Sequence, residues 1–267
     1  MSELFKRRST SNENWLENLD KIQDSARRNY FSALPDEDQL KSFFSEAFII
    51  NSPKGKVGGD GYWLHTNGND LYLALFTCVG EGHLANMMIR IYTSALKKMV
   101  EGYAIDFPGS MLQFLHREVV ARFKDKNNIL LNTNANVGIV KINSESKQME
   151  FAGANMDLIQ LDVNGKMKTI QGESRQVGES TGQIKSYPSI SIEGTKTSSF
   201  YLCSSGIFNL VGGPNFKKLM VGDLGTFLRE RKKIALVEQK FQLTNFFKEW
   251  TGSGGQNDDV MVIGFKP

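Results

Sequence analysis

The chain has 267 residues, room for one large domain or two small ones, and an ordinary globular composition with 40% hydrophobic and 23% charged residues. Its 32 Lys and Arg against 29 Asp and Glu leave a net charge of +3, too balanced for an electrostatic nucleic-acid binder. Two cysteines, Cys78 and Cys203, exclude a disulfide scaffold and a cysteine-rich zinc module, and three histidines argue against a histidine-rich metal site. A metal held here would have to rest on carboxylates.

In chain order, the first 35 residues read as one helix. Thr10 and Glu13 have capping-box spacing, and Trp15, Leu19, Ile22, Ala26 and Tyr30 recur every three or four residues until Pro35 stops the pattern. So narrow a stripe suits a helix that lies on a domain or pairs with a second copy. Lys6, Arg7 and Arg8 are not followed by an apolar core, so no secretory signal is legible. Strand-like runs follow at Ala47–Ile50, Gly61–His65 and Leu71–Val79, the last two joined by a hairpin-type turn, Thr66–Asp70. The third run is the longest apolar stretch and is too short to span a bilayer. Helices are predicted over His83–Gly102 and Pro108–Lys124, the second opening on a proline.

Further strands are predicted at Ile129–Asn143, Gln148–Ala152, Leu158–Val163, Met167–Gln171, Tyr187–Ile192 and Phe200–Cys203. A helix over Ile234–Trp250 and a closing strand, Val260–Phe265, complete the series. Strands outnumber helices and cluster into meanders, which points to an α+β fold of packed antiparallel sheets flanked by helices. The division expected is a linker helix over 1–35 and one domain over 36–267. Cysteines in apolar runs fit a reducing cytoplasm.

Four segments place glycine beside acidic or polar residues at strand ends: Val57–Trp63, Thr77–His83, Ser204–Gly206 and Gln256–Val260. Glycine admits close backbone approach, and a carboxylate at a strand end can reach a hard cation. Each segment singly is an ordinary turn. Gly80-x-Gly82-x-x-Ala85, with Glu101 about 20 residues on, also has the spacing of a dinucleotide fingerprint, but no strand follows its helix to complete a βαβ unit. No Cys-x5-Arg phosphate loop or Gly-x-Ser-x-Gly elbow accompanies the cysteines or the Ser204-Ser205 pair.

Taken in order, the four segments resemble those of the metal-dependent protein phosphatases of the protein phosphatase 2C type, in the bacterial SpoIIE/RsbU-like branch. The resemblance runs from about residue 18 to the end. Asn18–Pro35 is similar to the linker helix that leads into such domains. Val57–Trp63 resembles the family's Gly-Asp-Phe-Tyr motif, Phe151–Asn155 its middle strand motif, and Asn209–Met220, Trp250 and Gln256–Phe265 its C-terminal end. The fold this implies is an αββα sandwich of two antiparallel sheets with the site at one end. The chemistry it implies is hydrolysis of phosphoserine or phosphothreonine by a water held between two Mn²⁺ or Mg²⁺ ions, without a covalent intermediate.

Carried over by position, the resemblance places one metal aspartate at Asp60, with Gly61 as a carbonyl ligand, and another at Asp258. The metal-bridging aspartate of the second motif is replaced by Thr77, and another metal aspartate, in the third, by Ser205; an acidic position around Asn134 to Val137 is also missing. Neutral hydroxyls are poor ligands for these ions, and roughly two carboxylates face the four positive charges of two divalent cations. The expectation is a pseudophosphatase: a binding or regulatory module with no cofactor, or with weakly bound Mn²⁺ or Mg²⁺. Glu81 and Asp259 are candidates to compensate for the lost ligands. The resemblance further implies a signalling partner of the anti-sigma-factor-antagonist type, and homodimerisation or partner control through Trp15, Leu19, Ile22, Ala26 and Tyr30. Two other readings stand beside it: an active metal phosphatase with a rearranged site, and a nucleotide binder through Gly80–Ala85. His83 at its helix start is read as a capping or packing residue, and His65 and His116 are assigned no role.

Overall fold

The computed structural model describes residues 21–80, 83–123, 133–179 and 186–267. Helix α1 occupies residues 21–32, and α2 (Glu37–Phe43) starts at Asp36, whose carboxylate accepts from the Asp38 amide at 3.2 Å. Three strands follow: β1 (Glu46–Ser52), β2 (Asp60–Asn67) and β3 (Asp70–Cys78). Next come α3 (His83–Gly102), α4 (Pro108–Phe123), β4 (Ala135–Asn143), β5 (Met149–Ala154), β6 (Leu158–Asp162), β7 (Met167–Ile170), β8 (Ile190–Ile192) and β9 (Ser198–Cys203). The chain closes with the short pair β10 (Val211–Gly212) and β11 (Lys217–Lys218), then α5 (Val221–Glu230), α6 (Leu236–Thr251) and β12 (Val260–Lys266).

Two five-stranded antiparallel sheets, ordered β1-β12-β9-β6-β7 and β2-β3-β4-β5-β8, form the centre. Side chains alternate across a strand, so each apolar run feeds two cores. From β3, Leu73 and Leu75 point between the sheets and meet Phe200, Leu202, Ile263 and Phe265 of the other sheet. Tyr72, Ala74 and Phe76 point outward beneath α3 and α4, against Met88, Tyr92 and Leu115. On the far side Phe48, Tyr201 and Val262 pack under α5 and α6 with Leu224, Leu228 and Leu243. Both faces of both sheets are therefore covered, which makes a four-layer αββα sandwich. Strands buried on two faces read as unbroken apolar runs, and that is why the strands stand out in the sequence.

Several boundaries differ from the sequence reading. The fourth sheet strand begins at Ala135; residues 124–132 lie outside those described. The run Tyr187–Ile192 is a strand only over Ile190–Ile192, because Tyr187 leaves the ladder to bury its ring beside His116 and donate to the Gln176 carbonyl at 3.1 Å. Helix α5 is absent from the sequence reading although Leu224, Phe227 and Leu228 give it a buried face; Gly222 and Gly225 lower its helix propensity. Gly225 is there for space: a Cβ on it would come within 2.6 Å of the Met167 side chain. Helix α1 uses only part of its stripe on its own domain: Tyr30 and Ala26 are buried, whereas Ile22 is 56% exposed. Trp15 and Leu19, with the Thr10–Glu13 capping box, lie outside the described residues. Among the described residues no helix is long and apolar enough to cross a membrane.

Phe265 is fully buried between the sheets, with ring contacts to Phe44 and Phe200. Truncating it to alanine leaves a cavity in the shared core and is expected to cost about 3–5 kcal/mol. Urea unfolding followed by tryptophan fluorescence measures this as a lower midpoint at unchanged slope.

Candidate functional site

The starts of β2, β4 and β12 and the ends of β3 and β9 meet at one end of the sandwich. Antiparallel register explains how the separate segments converge. Asp60 is paired with Thr77, and Thr77 with Asn136, so three consecutive strands of one sheet put these residues in one row. From the other sheet come Ser204-Ser205-Gly206, after β9, and Asp258-Asp259, before β12. Close backbone approach seals the segments together. A Cβ on Gly206 would come 1.8 Å from the Asp259 carbonyl oxygen, and one on Gly59 would come 2.9 Å from the Cys78 carbonyl oxygen.

Asp60 is 1% exposed, and neither of its carboxylate oxygens is hydrogen-bonded. The hydroxyls of Ser204 and Thr77 approach it and oppose the shift, but neither forms a hydrogen bond of normal geometry, and the Thr77 hydroxyl is itself buried without a partner. Burial pushes the Asp60 carboxyl up to about 8, with the charges of Asp259 and Asp258 adding to the effect. Its backbone carbonyl accepts from the Tyr30 hydroxyl at 2.7 Å, so α1 is tied directly to the site. Gly61, next in β2, sits opposite Phe76 and under Ile89 of α3, whose side chain would lie 2.9 Å from a Cβ there.

The other two aspartates are already committed. Asp258 accepts from the Asn209 side-chain amide at 3.0 Å and from the Asp259 amide at 2.9 Å. Asp259 accepts from the Gly59 amide at 2.5 Å and the Lys54 amide at 2.7 Å, and so links the loop before β2 to β12. Where the resemblance expects a further acid, around Asn134 to Val137, there are amides. Asn136 accepts from the Asn155 and Gln176 side chains, both at 2.8 Å, and Asn134 donates to Gln176 at 3.4 Å. Sequence reasoning did not find Asn209, Gln176 or Tyr30 as site neighbours. Only the positive φ of Asn155 (51°), a conformation that asparagine tolerates, has a recognisable sequence preference.

A two-ion centre needs several carboxylates converging on one point. Here Asp60 faces hydroxyls, Asp258 and Asp259 face amides, and among the described residues no group of three or more His, Cys, Asp or Glu is placed to hold an ion. This donor set does not suit two divalent cations, and no hydrolytic step follows from it. Glu81 and Gly82 lie outside the described residues, as does the His83 side chain. Both cysteines are buried, and burial raises each thiol well above its ordinary value, the opposite of what a nucleophile requires. His116 accepts from the Gly178 amide at 3.3 Å, and His65 stacks on Trp63. The strand before Gly80 pairs antiparallel on both sides and α3 leads into α4, so the glycines are not part of a parallel βαβ unit.

The fold is that of the protein phosphatase 2C-type domains. The SiaA-PP2C domain of Pseudomonas aeruginosa superposes with a TM-score of 0.83 at 23% identity, covering 94% of this chain and 98% of that one. RsbX in complex with magnesium gives 0.56 at 22% identity, over 83% of this chain and 94% of that one. The phosphatase domain of SpoIIE from Bacillus subtilis, with a fragment of its regulatory domain, gives 0.66 at 16% identity, over 83% and 63% respectively. No family model matches the chain, and no curated protein matches it in sequence.

A carboxyl whose pKa rises on folding makes the folded state take up a proton, so stability falls as pH rises from the unfolded value near 4 towards about 8. Asp60→Asn removes that term. In chelated buffer the variant is expected to match the parent near pH 4 and to melt higher by at least several degrees above pH 8. Thermal melts of both proteins at half-unit pH steps measure the difference.

Proposed function

We propose that this chain is a pseudophosphatase of the SpoIIE/RsbU-like branch, a phosphatase-fold protein that binds a signalling partner without hydrolysing phosphate. The observation that carries this reading is the pairing of a buried, unbonded Asp60 with Thr77, where a second carboxylate would be needed to bridge two ions. Ser205 takes a metal-aspartate position in the third segment, and the oxygens of Asp258 and Asp259 are occupied by amide donors. A bare pair of hydroxyls cannot neutralise the ions or acidify a bridging water. A partner of the anti-sigma-factor-antagonist type, in a cytoplasmic phospho-signalling system, is the class that the branch supplies. Tyr30, clipped to the Asp60 carbonyl, gives α1 a means to report on that site.

Purified protein with millimolar Mn²⁺ is expected to leave a phosphoserine peptide intact and to show no tight Mn²⁺ equivalent by calorimetry. Thr77→Asp with Ser205→Asp is expected to introduce Mn²⁺-dependent hydrolysis. Robust turnover by the parent, abolished by Asp60→Ala, would overturn the reading in favour of an active phosphatase with a rearranged site.

Homodimerisation through α1 belongs to the same proposal, and Ile22 is its exposed test position. Light scattering on the full chain is expected to show a dimer that Ile22→Glu converts to monomer, with an unchanged melting temperature. A monomeric parent removes this part of the proposal.

A further inference from the structure

Beside the degenerate centre lies a cleft of about 590 Å³ whose lining includes Ser205 itself. Its floor is apolar: Ile159 and Cys203 from neighbouring strands of one sheet, with Phe208 and Val221 from the turn after β9 and the start of α5. Asp157 and Glu173, in the turns after β5 and β7, line it as well, and Lys218 of β11 is the one cation among the described lining residues. That lysine is engaged, its ammonium donating to Asn209 at 3.0 Å, and Asn209 in turn donates to Asp258. The cleft is thus apolar at its base, acidic on balance, and joined at one wall to the former metal position.

The β10–β11 hairpin next to it presents an unusual tip. Phe216 is 86% exposed and stands at φ 47°, a left-handed conformation that costs an aromatic residue energy. Met220, just beyond β11, is also exposed, at 58%. The hairpin is nevertheless held rigidly. Gly213 donates to the Trp250 carbonyl at 2.8 Å and lies flat against the Trp250 ring, and Lys217 sits over that ring and pairs with Asp223 at 3.0 Å. An aromatic side chain kept in a strained backbone, in water, on a firm support does nothing for the fold. It is the form that a binding anchor takes.

We infer that the cleft and the Phe216 tip form one docking site for an extended segment of a partner protein. That segment carries an apolar side chain, which packs between Phe216, Met220 and the cleft floor, and a neighbouring Lys or Arg, which faces Asp157 and Glu173. The charge of the lining, two carboxylates to one lysine, selects an unphosphorylated segment over a phosphorylated one, since Asp157 and Glu173 repel phosphate. This rests on the binding-module reading of the previous subsection and names the partner chemistry of that site.

The probe is a positional-scanning library of capped octapeptides, screened against the full chain by fluorescence polarisation, with a parallel set carrying a fixed phosphoserine. The expected selection is an apolar residue flanked by Lys or Arg, with phosphoserine lowering affinity. Phe216→Asn suits the left-handed backbone, so it is expected to keep or raise the melting temperature while weakening the selected peptide tenfold or more. Glu173→Lys is expected to turn the selection from basic towards acidic flanks. No selected sequence, equal binding by Phe216→Asn, or a preference for phosphoserine would overturn the proposal. So would a dimer that Phe216→Asn dissociates in light scattering, which would make a second copy the occupant. Peptide selection does not depend on hydrolysis, so it can fail while the chain remains inactive with Mn²⁺, and it can succeed in a chain that proves to be an enzyme.

Discussion

Asp259 fastens the two sheets to each other at the site end. It stands just before β12 in one sheet, and its carboxylate takes the amide of Gly59, just before β2 in the other, together with the amide of Lys54. A charged acceptor with two backbone donors is among the stronger polar contacts a protein can make. Two close approaches flank it. Gly59 lies against the Cys78 carbonyl where the Cys78 amide donates to the Gly59 carbonyl at 2.9 Å, and Gly206 lies against the Asp259 carbonyl where Ser204 and Met261 exchange hydrogen bonds. Both donors to that carboxylate are main-chain amides.

Around this clasp the polar groups fall into two kinds. Asp258, Asp259, Asn136 and Gln176 are paired, each with named amides. Asp60 and the Thr77 hydroxyl are buried and unpaired. Buried polar groups are ordinarily satisfied, and an isolated exception marks either a stored cost or a lost partner. Asp60 stands in register with Thr77, and the proposed function accounts for the pair by the second explanation. A neutral carboxyl is the form such a site tolerates, in keeping with the raised pKa.

The fold was largely legible in the sequence, because strands covered on both faces, such as Leu71–Phe76, leave uninterrupted apolar runs, and the Asn67–Asp70 turn sets the register of the hairpin that follows from it. What escaped was set by tertiary contact. Helix α5 carries a glycine at 225 because Met167 fills the space beside it, and Tyr187 is drawn out of a strand-like run by His116 and Gln176. At the site, the spacing of the four segments located Asp60, Thr77, Ser205 and Asp258 along the chain. It could not reveal that Asn209, some fifty residues away from Asp258, would cap it, or that Tyr30 would reach the Asp60 carbonyl. Long-range side-chain partners have no local periodicity to betray them.

The amides around Asn136 have a consequence of their own. Carboxamides neither gain nor lose protons across the physiological range, and Asn136, Asn155, Gln176 and Asn134 satisfy one another by geometry alone. A ring of acids repels itself without a counter-ion, whereas these amides hold one another by hydrogen bonds. The four side chains carry no charge for salt, acidity or a divalent ion to alter.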